Sequence, residues 1–297
     1  MARLPFIDAH AHLWELGRLR YPWLTPPLTD GGPNGDVTPI ARDYRLADYR
    51  AEARNWNVIG MIHVEAGVDS AQGLAETDWL QTLGETAGWP SGIVAAATLD
   101  APDIGVVLEA QAARSRVRGI RHIVNWHADP DLTYTPRDLT ADSAWQHGFS
   151  LLGKHGLSFD LQAYPGQFPV LARLFSRHPE IPVILNHAGM GHDAGEWQAG
   201  MAALAVLPHV YVKISGLGFV WRRPDEFAMR ERVLRTIDLF GARRCLFASD
   251  FPTDRLFGSF DETMGRMADA VSDFSETDRR ALFADNANHV YRLELEF

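Results

Sequence analysis

A single cysteine, Cys245, occurs in the 297 residues, so no intrachain disulfide can form, and that scarcity fits a reducing compartment. No uninterrupted apolar run approaches the roughly 18 residues of a membrane-spanning helix. A secretory leader is not expected either, because Asp8 breaks the N-terminal apolar stretch short of a leader core of about 7–15 residues. Basic residues are in the minority: 28 Lys and Arg against 38 Asp and Glu give a net charge of −10, which argues against a nucleic-acid partner. Several catalytic signatures are also missing. There is no Gly-x-Ser-x-Gly elbow, no Gly-Lys-Ser/Thr phosphate loop and no His-Glu-x-x-His pair. Cys245 opens an apolar run without a reactive setting, which speaks against a thiol mechanism. The expectation is a cytoplasmic protein acting on a small molecule, without nucleic acid or membrane as partner, its oligomeric state left open.

What the chain does have is a regular alternation. Eight short apolar runs bounded by turn residues read as strands: Leu4–His10, Val58–Glu65, Gly92–Leu99, Val117–Trp126, Leu157–Tyr164, Pro182–His187, Val210–Ser215 and Cys245–Asp250. Several lack polar alternation, as strands buried on both faces do. Amphipathic stretches of helical length lie between them, among them Arg42–Asn57, Ala141–His155, Phe168–His178 and Glu226–Phe240. Asp142-Ser143 and Pro224-Asp225 read as N-terminal caps, Gly156 and Gly241 as C-terminal ones, and Glu276–Leu293 as a closing helix or helix pair. The pattern predicts an α/β fold, a (β/α)8 barrel forming one domain over residues 1–297, with a doubly wound open sheet as the competing architecture. Two connections are long, Leu13–Ile40 after the first strand and His127–Thr140 after the fourth. In a barrel both emerge at the carboxyl-end face, where active sites are built. Trp14, Tyr21, Trp23 and Leu24 give the first of them groups that need a packing surface.

Chemistry-bearing residues collect at the same predicted face. Strand periodicity places His10 and His12 of Asp8-Ala9-His10-Ala11-His12 on one side at the end of the first strand. The sixth strand ends in Asn186-His187-Ala188-Gly189 and the eighth in Ser249-Asp250-Phe251-Pro252. Three imidazoles and one carboxylate on one face suit a single borderline cation such as zinc, held by His10, His12, His187 and Asp250.

These residues resemble the amidohydrolase superfamily. Phe6–Trp14 and Tyr21-Pro22-Trp23-Leu24 are similar to its lactonase-like branch, as are Gly119-Ile120-Arg121-His122, Phe159-Asp160-Leu161-Gln162, Asn186–Gly189, Val212–Leu217 and Ser249–Pro252. The resemblance runs from about residue 4 to the C-terminus. It implies a distorted barrel that opens cyclic esters, lactones of sugar acids or of dicarboxylate intermediates. Binuclear members carry a bridging Lys or Glu on the fourth strand and a His on the fifth. Here those strands offer Arg121, His122 and Asn125, and Asp160 and Gln162, so the resemblance leaves one divalent ion or none.

The expected mechanism has Asp250 as general base for water, returning the proton to the ring alkoxide. His10, His12 and His187 polarise the carbonyl directly or through one metal. Gln162, Arg121, Asn125, Trp126 and Arg255 are the candidate substrate contacts, the two arginines for a substrate carboxylate. His63 and His122 lie within strands and read as structural; Lys213 and Ser215 stay open. Two other functions remain: a metal-dependent decarboxylase of a small aromatic or unsaturated acid, and a sugar-acid binding barrel without chemistry.

Overall fold

A computed structural model of the chain describes residues 4–28, 31–221 and 225–297. Residues 1–3 of the N-terminal stretch, Thr29 and Asp30 of the first long loop, and Pro224 of the cap expected before Glu226 lie outside the described residues. The eight strands are β1 (Pro5–Ala11), β2 (Asn57–Val64), β3 (Gly92–Ala96), β4 (Val117–Ile123), β5 (Ser158–Gln162), β6 (Val183–Leu185), β7 (Val210–Ile214) and β8 (Cys245–Phe247). They pair in sequence order, each parallel to the next. Closure comes from residues beyond β8. Asp250 N–H donates to His10 O at 2.8 Å and His12 N–H to Phe251 O at 2.8 Å, with a parallel bridge between Ala11 and Phe251. The fold is therefore a (β/α)8 barrel and not an open sheet.

The absence of polar alternation in the strands has its cause in this arrangement. One face packs inside the barrel, where Ile7, Ala9, Ile62, Val64, Ile184 and Leu246 form a buried cluster. The other face, with Phe6, Met61, Ile120, Phe159, Val212 and Phe247, packs in the larger outer core. Ala284, Ala287 and Tyr291 from the C-terminal segment join the inner cluster. That segment consists of helices Glu276–Arg280 and Asn286–Val290 joined by a π turn over Ala281–Asp285.

The helix over Glu226–Phe240 has the expected bounds, with Asp225 accepting from Ala228 N–H as its cap. Asp142 accepts from Ala144 N–H at 2.8 Å and caps Ser143–Leu151. Elsewhere the helices are shorter than the amphipathic stretches: Leu46–Glu52 and Phe168–Phe175 both give way to tighter turns or coil before the stretch ends. Gly156 (φ +63°) and Gly241 (φ +78°) supply the left-handed backbone that ends the preceding segments.

The sixth and eighth apolar runs reach past their hydrogen-bonded strands, and the reason is local. His187 has φ +55° and Asp250 φ +57°, so both residues turn out of extended geometry as the chain leaves the sheet. Both long loops are packed. Trp14, Tyr21 and Leu24 are fully buried, and Trp23 Nε1 donates to Ala66 O at 2.7 Å. Tyr134 in the loop after β4 donates to Asn34 Oδ1 at 2.9 Å in the loop after β1, joining the two.

Candidate active site

His10 is buried within β1 and His12 lies one residue beyond it; their rings meet edge to face with centroids 4.9 Å apart and the two Nε2 atoms at 3.2 Å. From the segment after β8, Asp250 Oδ1 approaches His12 Nε2 to 3.3 Å and His10 Nε2 to 3.5 Å. His187, beyond β6, brings its ring to 4.7 Å from that of His10 and its Nδ1 to 3.9 Å from Asp250 Oδ2. The ends of strands one, six and eight thus converge, with all four side chains almost wholly buried.

Two features hold these groups so close. Gly216, with φ +58° just past β7, sits against the cluster: a Cβ there would stand 2.4 Å from His187 Nδ1 and 3.1 Å from Asp250 Oδ2. Only a glycine leaves that room. The second is the left-handed backbone of His187 and Asp250 themselves, an uncommon state for residues with a side chain, and one that clusters at functional sites.

The hydrogen bonds set the protonation of the rings. His12 Nδ1 lies 2.8 Å from Val64 O, an atom that can only accept, so Nδ1 carries a proton and Nε2 is the ring nitrogen that faces Asp250. Burial, then the charge of Lys213, hold His10 well below the ordinary imidazole range. Burial likewise pushes His187 down to about 4, against the pull of Asp250. His10 Nδ1 is buried without a partner. His187 Nδ1 meets Ser215 Oγ at 3.1 Å. The neutral rings of His10 and His187 thus stand 3.5 and 3.9 Å from the Asp250 carboxyl in a buried cluster, a donor set that suits a divalent cation.

Ligand atoms of His10, His187 and Asp250 all lie within 4.8 Å of one another, the spread that one divalent ion can span. His12 is outside that convergent set, although it was expected within it. Its Nε2 faces His10 and Asp250 from one side.

The site opens into a pocket of about 190 Å³. His12, His187, Asp250, Arg121 and Gln162 line it as expected. Arg121, from β4, is tied down: Nε donates to Glu65 Oε1 at 2.5 Å, Nη1 to Gln162 Oε1 at 3.1 Å, and Nη2 to the Glu65 carbonyl. The other three expected contacts are not part of the lining. Asn125 is buried and touches Met190, which lines the pocket in its place. Trp126 is 38% exposed. Arg255 pairs with Glu52 and lies over the Tyr44 ring, drawn away by a carboxylate that sequence position does not reveal.

Sequence reasoning missed Glu65, whose only signal was a carboxylate closing the second apolar run. It also missed Trp23, Asn34 and Tyr134, which reach the pocket from the two long loops. Asp254, likewise missed, is buried one turn after Asp250; burial first, and Asp250 second, hold its carboxyl well above the usual carboxylate range.

The remaining candidates are structural in their contacts. His63 Nδ1 accepts from Leu13 N–H at 3.2 Å, and His122 Nδ1 accepts from Leu99 N–H and Trp145 Nε1–H. Lys213 forms a fully buried ion pair with Asp160, which also accepts from the Tyr291 hydroxyl at 2.9 Å. Burial pushes the Cys245 thiol up, in keeping with an inert cysteine. No helix among the described residues is long and apolar enough to cross a membrane.

Comparison with known proteins agrees with this geometry. The chain is 37% identical to an uncharacterized protein of Sinorhizobium fredii over 99% of this chain and all of the relative. It is 27% identical to an L-fucono-1,5-lactonase of Burkholderia ambifaria, covering 97% of this chain and 96% of the lactonase. A zinc-bound crystal structure of an amidohydrolase from Burkholderia multivorans superposes with a TM-score of 0.79 at 25% identity, covering 97% of this chain and 99% of that one. The amidohydrolase family pattern itself matches residues 7–293, nearly the whole barrel, and the chain belongs to that family.

Proposed function

We propose that the protein hydrolyses a lactone, a cyclic ester of a sugar acid or of a dicarboxylate, in the pocket above His10, His12, His187 and Asp250. The observation that carries this reading is the carboxyl of Asp250 set against three buried imidazoles at the floor of a pocket of about 190 Å³. The lactonase likeness of the Burkholderia relative supports the ester as substrate.

Asp250 accepts a proton from water as the water oxygen attacks the carbonyl carbon. The ring C–O bond then breaks, and Asp250 returns the proton to the ring oxygen, giving the open hydroxy acid. His10, His187 and Asp250 would hold a divalent ion, which when bound polarises the substrate carbonyl. His12, with its proton held by the Val64 carbonyl, cannot donate from Nε2 while neutral, so its part is to receive a proton or to face a cation. Arg121 and Gln162 fix each other at the pocket wall and present polar edges to the substrate's oxygens. The loops after β1 and β4 add Trp23, Asn34 and Tyr134 to the pocket wall, where they would contact the substrate ring.

Ring opening yields an acid that ionises at neutral pH, so a pH-indicator assay over sugar-acid and dicarboxylate lactones tests the reading. Proton release with at least one lactone is expected. Carbon dioxide release from aromatic or unsaturated acids, without lactone opening, would make the protein a decarboxylase. Tight binding of sugar acids with no turnover would make it a binding barrel.

A further inference from the structure

Four residues in a row, His187, Ala188, Gly189 and Met190, have positive φ, at +55°, +47°, +78° and +52°. They form a left-handed turn just after β6, closed by Gly189 N–H to Asn186 O and Met190 N–H to His187 O, both at 3.1 Å. Residues with a Cβ enter this region at a cost, and ordinarily one at a time. Only one of the four is glycine, and none is the Asn or Asp that tolerates the region best. Such a run persists only where its surroundings over-determine it. The turn matters to the site because its first and last residues, His187 and Met190, both line the catalytic pocket.

Two buried side chains grip it from behind. Trp197, on the helix Ala194–Ala205, is 3% exposed, and its Nε1–H donates to the Ala188 carbonyl at 2.7 Å. Arg232, on the helix Glu226–Phe240, lies over that indole at 4.2 Å from the ring centre and donates from Nη2 to Gly191 O at 2.9 Å. One holds the middle of the turn and the other the residue just past its end. The chain is also seated closely: a Cβ at Gly189 would stand 2.8 Å from Met201 Sδ and 3.3 Å from the Phe168 ring. Neither Trp197 nor Arg232 lines the pocket, so their influence on the site passes through the backbone that carries His187.

We infer that Trp197 is the positioning residue of His187: its indole N–H pins the Ala188 carbonyl, holds the chain in the left-handed turn and so aims the imidazole at His10 and Asp250. Without that bond, residue 188 returns to a commoner backbone geometry and the ring leaves the cluster. The kinetic consequence rests on the lactone reading; the position of the imidazole does not.

A double-mutant cycle tests this. Trp197→Phe keeps an aromatic ring against Arg232 and removes the donor, and Ala188→Gly lets residue 188 take positive φ without a clamp. Trp197→Phe should lower kcat about a hundredfold on a lactone that wild type opens, with KM within about twofold. In the Ala188→Gly background the same substitution should cost about tenfold or less. An equal loss in both backgrounds, or none in either, overturns the clamp. The imidazole nitrogen–proton NMR signals of His187, assigned from their loss in His187→Gln, are recorded alongside in chelator-treated protein. They should shift in Trp197→Phe, and shift less between Ala188→Gly and the double variant. Unmoved signals in Trp197→Phe overturn the inference whether or not a lactone is turned over. If no form opens a lactone, the hydrolase reading fails by itself and the NMR signals decide the clamp. Should Trp197→Phe not fold, a folded double variant supports the clamp and an equally unfolded one overturns it.

Discussion

Asp8 and Ser249 close the barrel through a side chain: the Asp8 carboxylate accepts from the Ser249 main-chain N–H at 2.9 Å and from its hydroxyl at 2.5 Å. Tyr49 donates to the same carboxylate at 2.9 Å. Asp8 stands two residues before His10 and Ser249 one before Asp250, so this seam also sets the spacing of His10 and Asp250 in the candidate site. His10 N–H donates to the Asp8 carboxylate as well, at 3.3 Å, so Asp8→Ala would leave four buried donors without their acceptor. It should cost about 3 kcal/mol or more of stability, at the rate of about 1–3 kcal/mol per orphaned group. Denaturant unfolding of the variant against wild type checks this.

Gly216→Ala tests how tightly the site is packed. The added methyl meets the His187 ring at a backbone angle that alanine resists. kcat should fall about a hundredfold, the scale on which a displacement of an ångström acts, while circular dichroism stays native. Unchanged kcat would mean that His187 can move without consequence.

Glu76 gives stability a slope at alkaline pH. It is buried beside Glu65, and burial first, then Glu65, push its carboxyl up to about 8 from 4.5. The fold holds this proton more tightly than the unfolded chain does, so stability is full below about 4.5 and is lost as pH rises towards about 8. His187, pushed down to about 4, acts in the opposite sense, but only below about 6.5. Between pH 7 and 9 the Glu76 effect stands clear of it. Melting curves should show wild type losing up to about 1 kcal/mol per pH unit there, and Glu76→Gln a flatter profile.

Elemental analysis of protein purified without chelator should find about one divalent ion per chain. His187→Ala and His10→Ala should lower that content, whereas Gln162→Ala should keep it. Full metal content in both histidine variants would place any ion elsewhere.

Much of this was readable in the residues. Strands buried on both faces show themselves as unbroken apolar runs, and His10, His187 and Asp250 stood at strand ends where a barrel gathers its chemistry. The pairing of Arg255 with Glu52 was not readable, because 203 positions separate them and only the closed barrel makes them neighbours. Glu65 was hidden for a related reason: its role comes from Arg121 reaching over from β4. The long loops announced a site wall by their aromatics, but the joining of Tyr134 to Asn34 depends on how the two loops fold over the face. The role of His12 turned on a contact with the Val64 carbonyl, which no spacing rule supplies.

The most direct test of the whole account is turnover by Asp250→Asn in the lactone assay. Asparagine keeps the shape and tolerates the left-handed backbone at this position, and the barrel-closing bond to His10 O comes from the main chain. The variant should fold as wild type does, by circular dichroism and melting temperature, and lose about 10²–10⁴ in kcat. A folded Asp250→Asn that opens lactones at the wild-type rate would contradict the account.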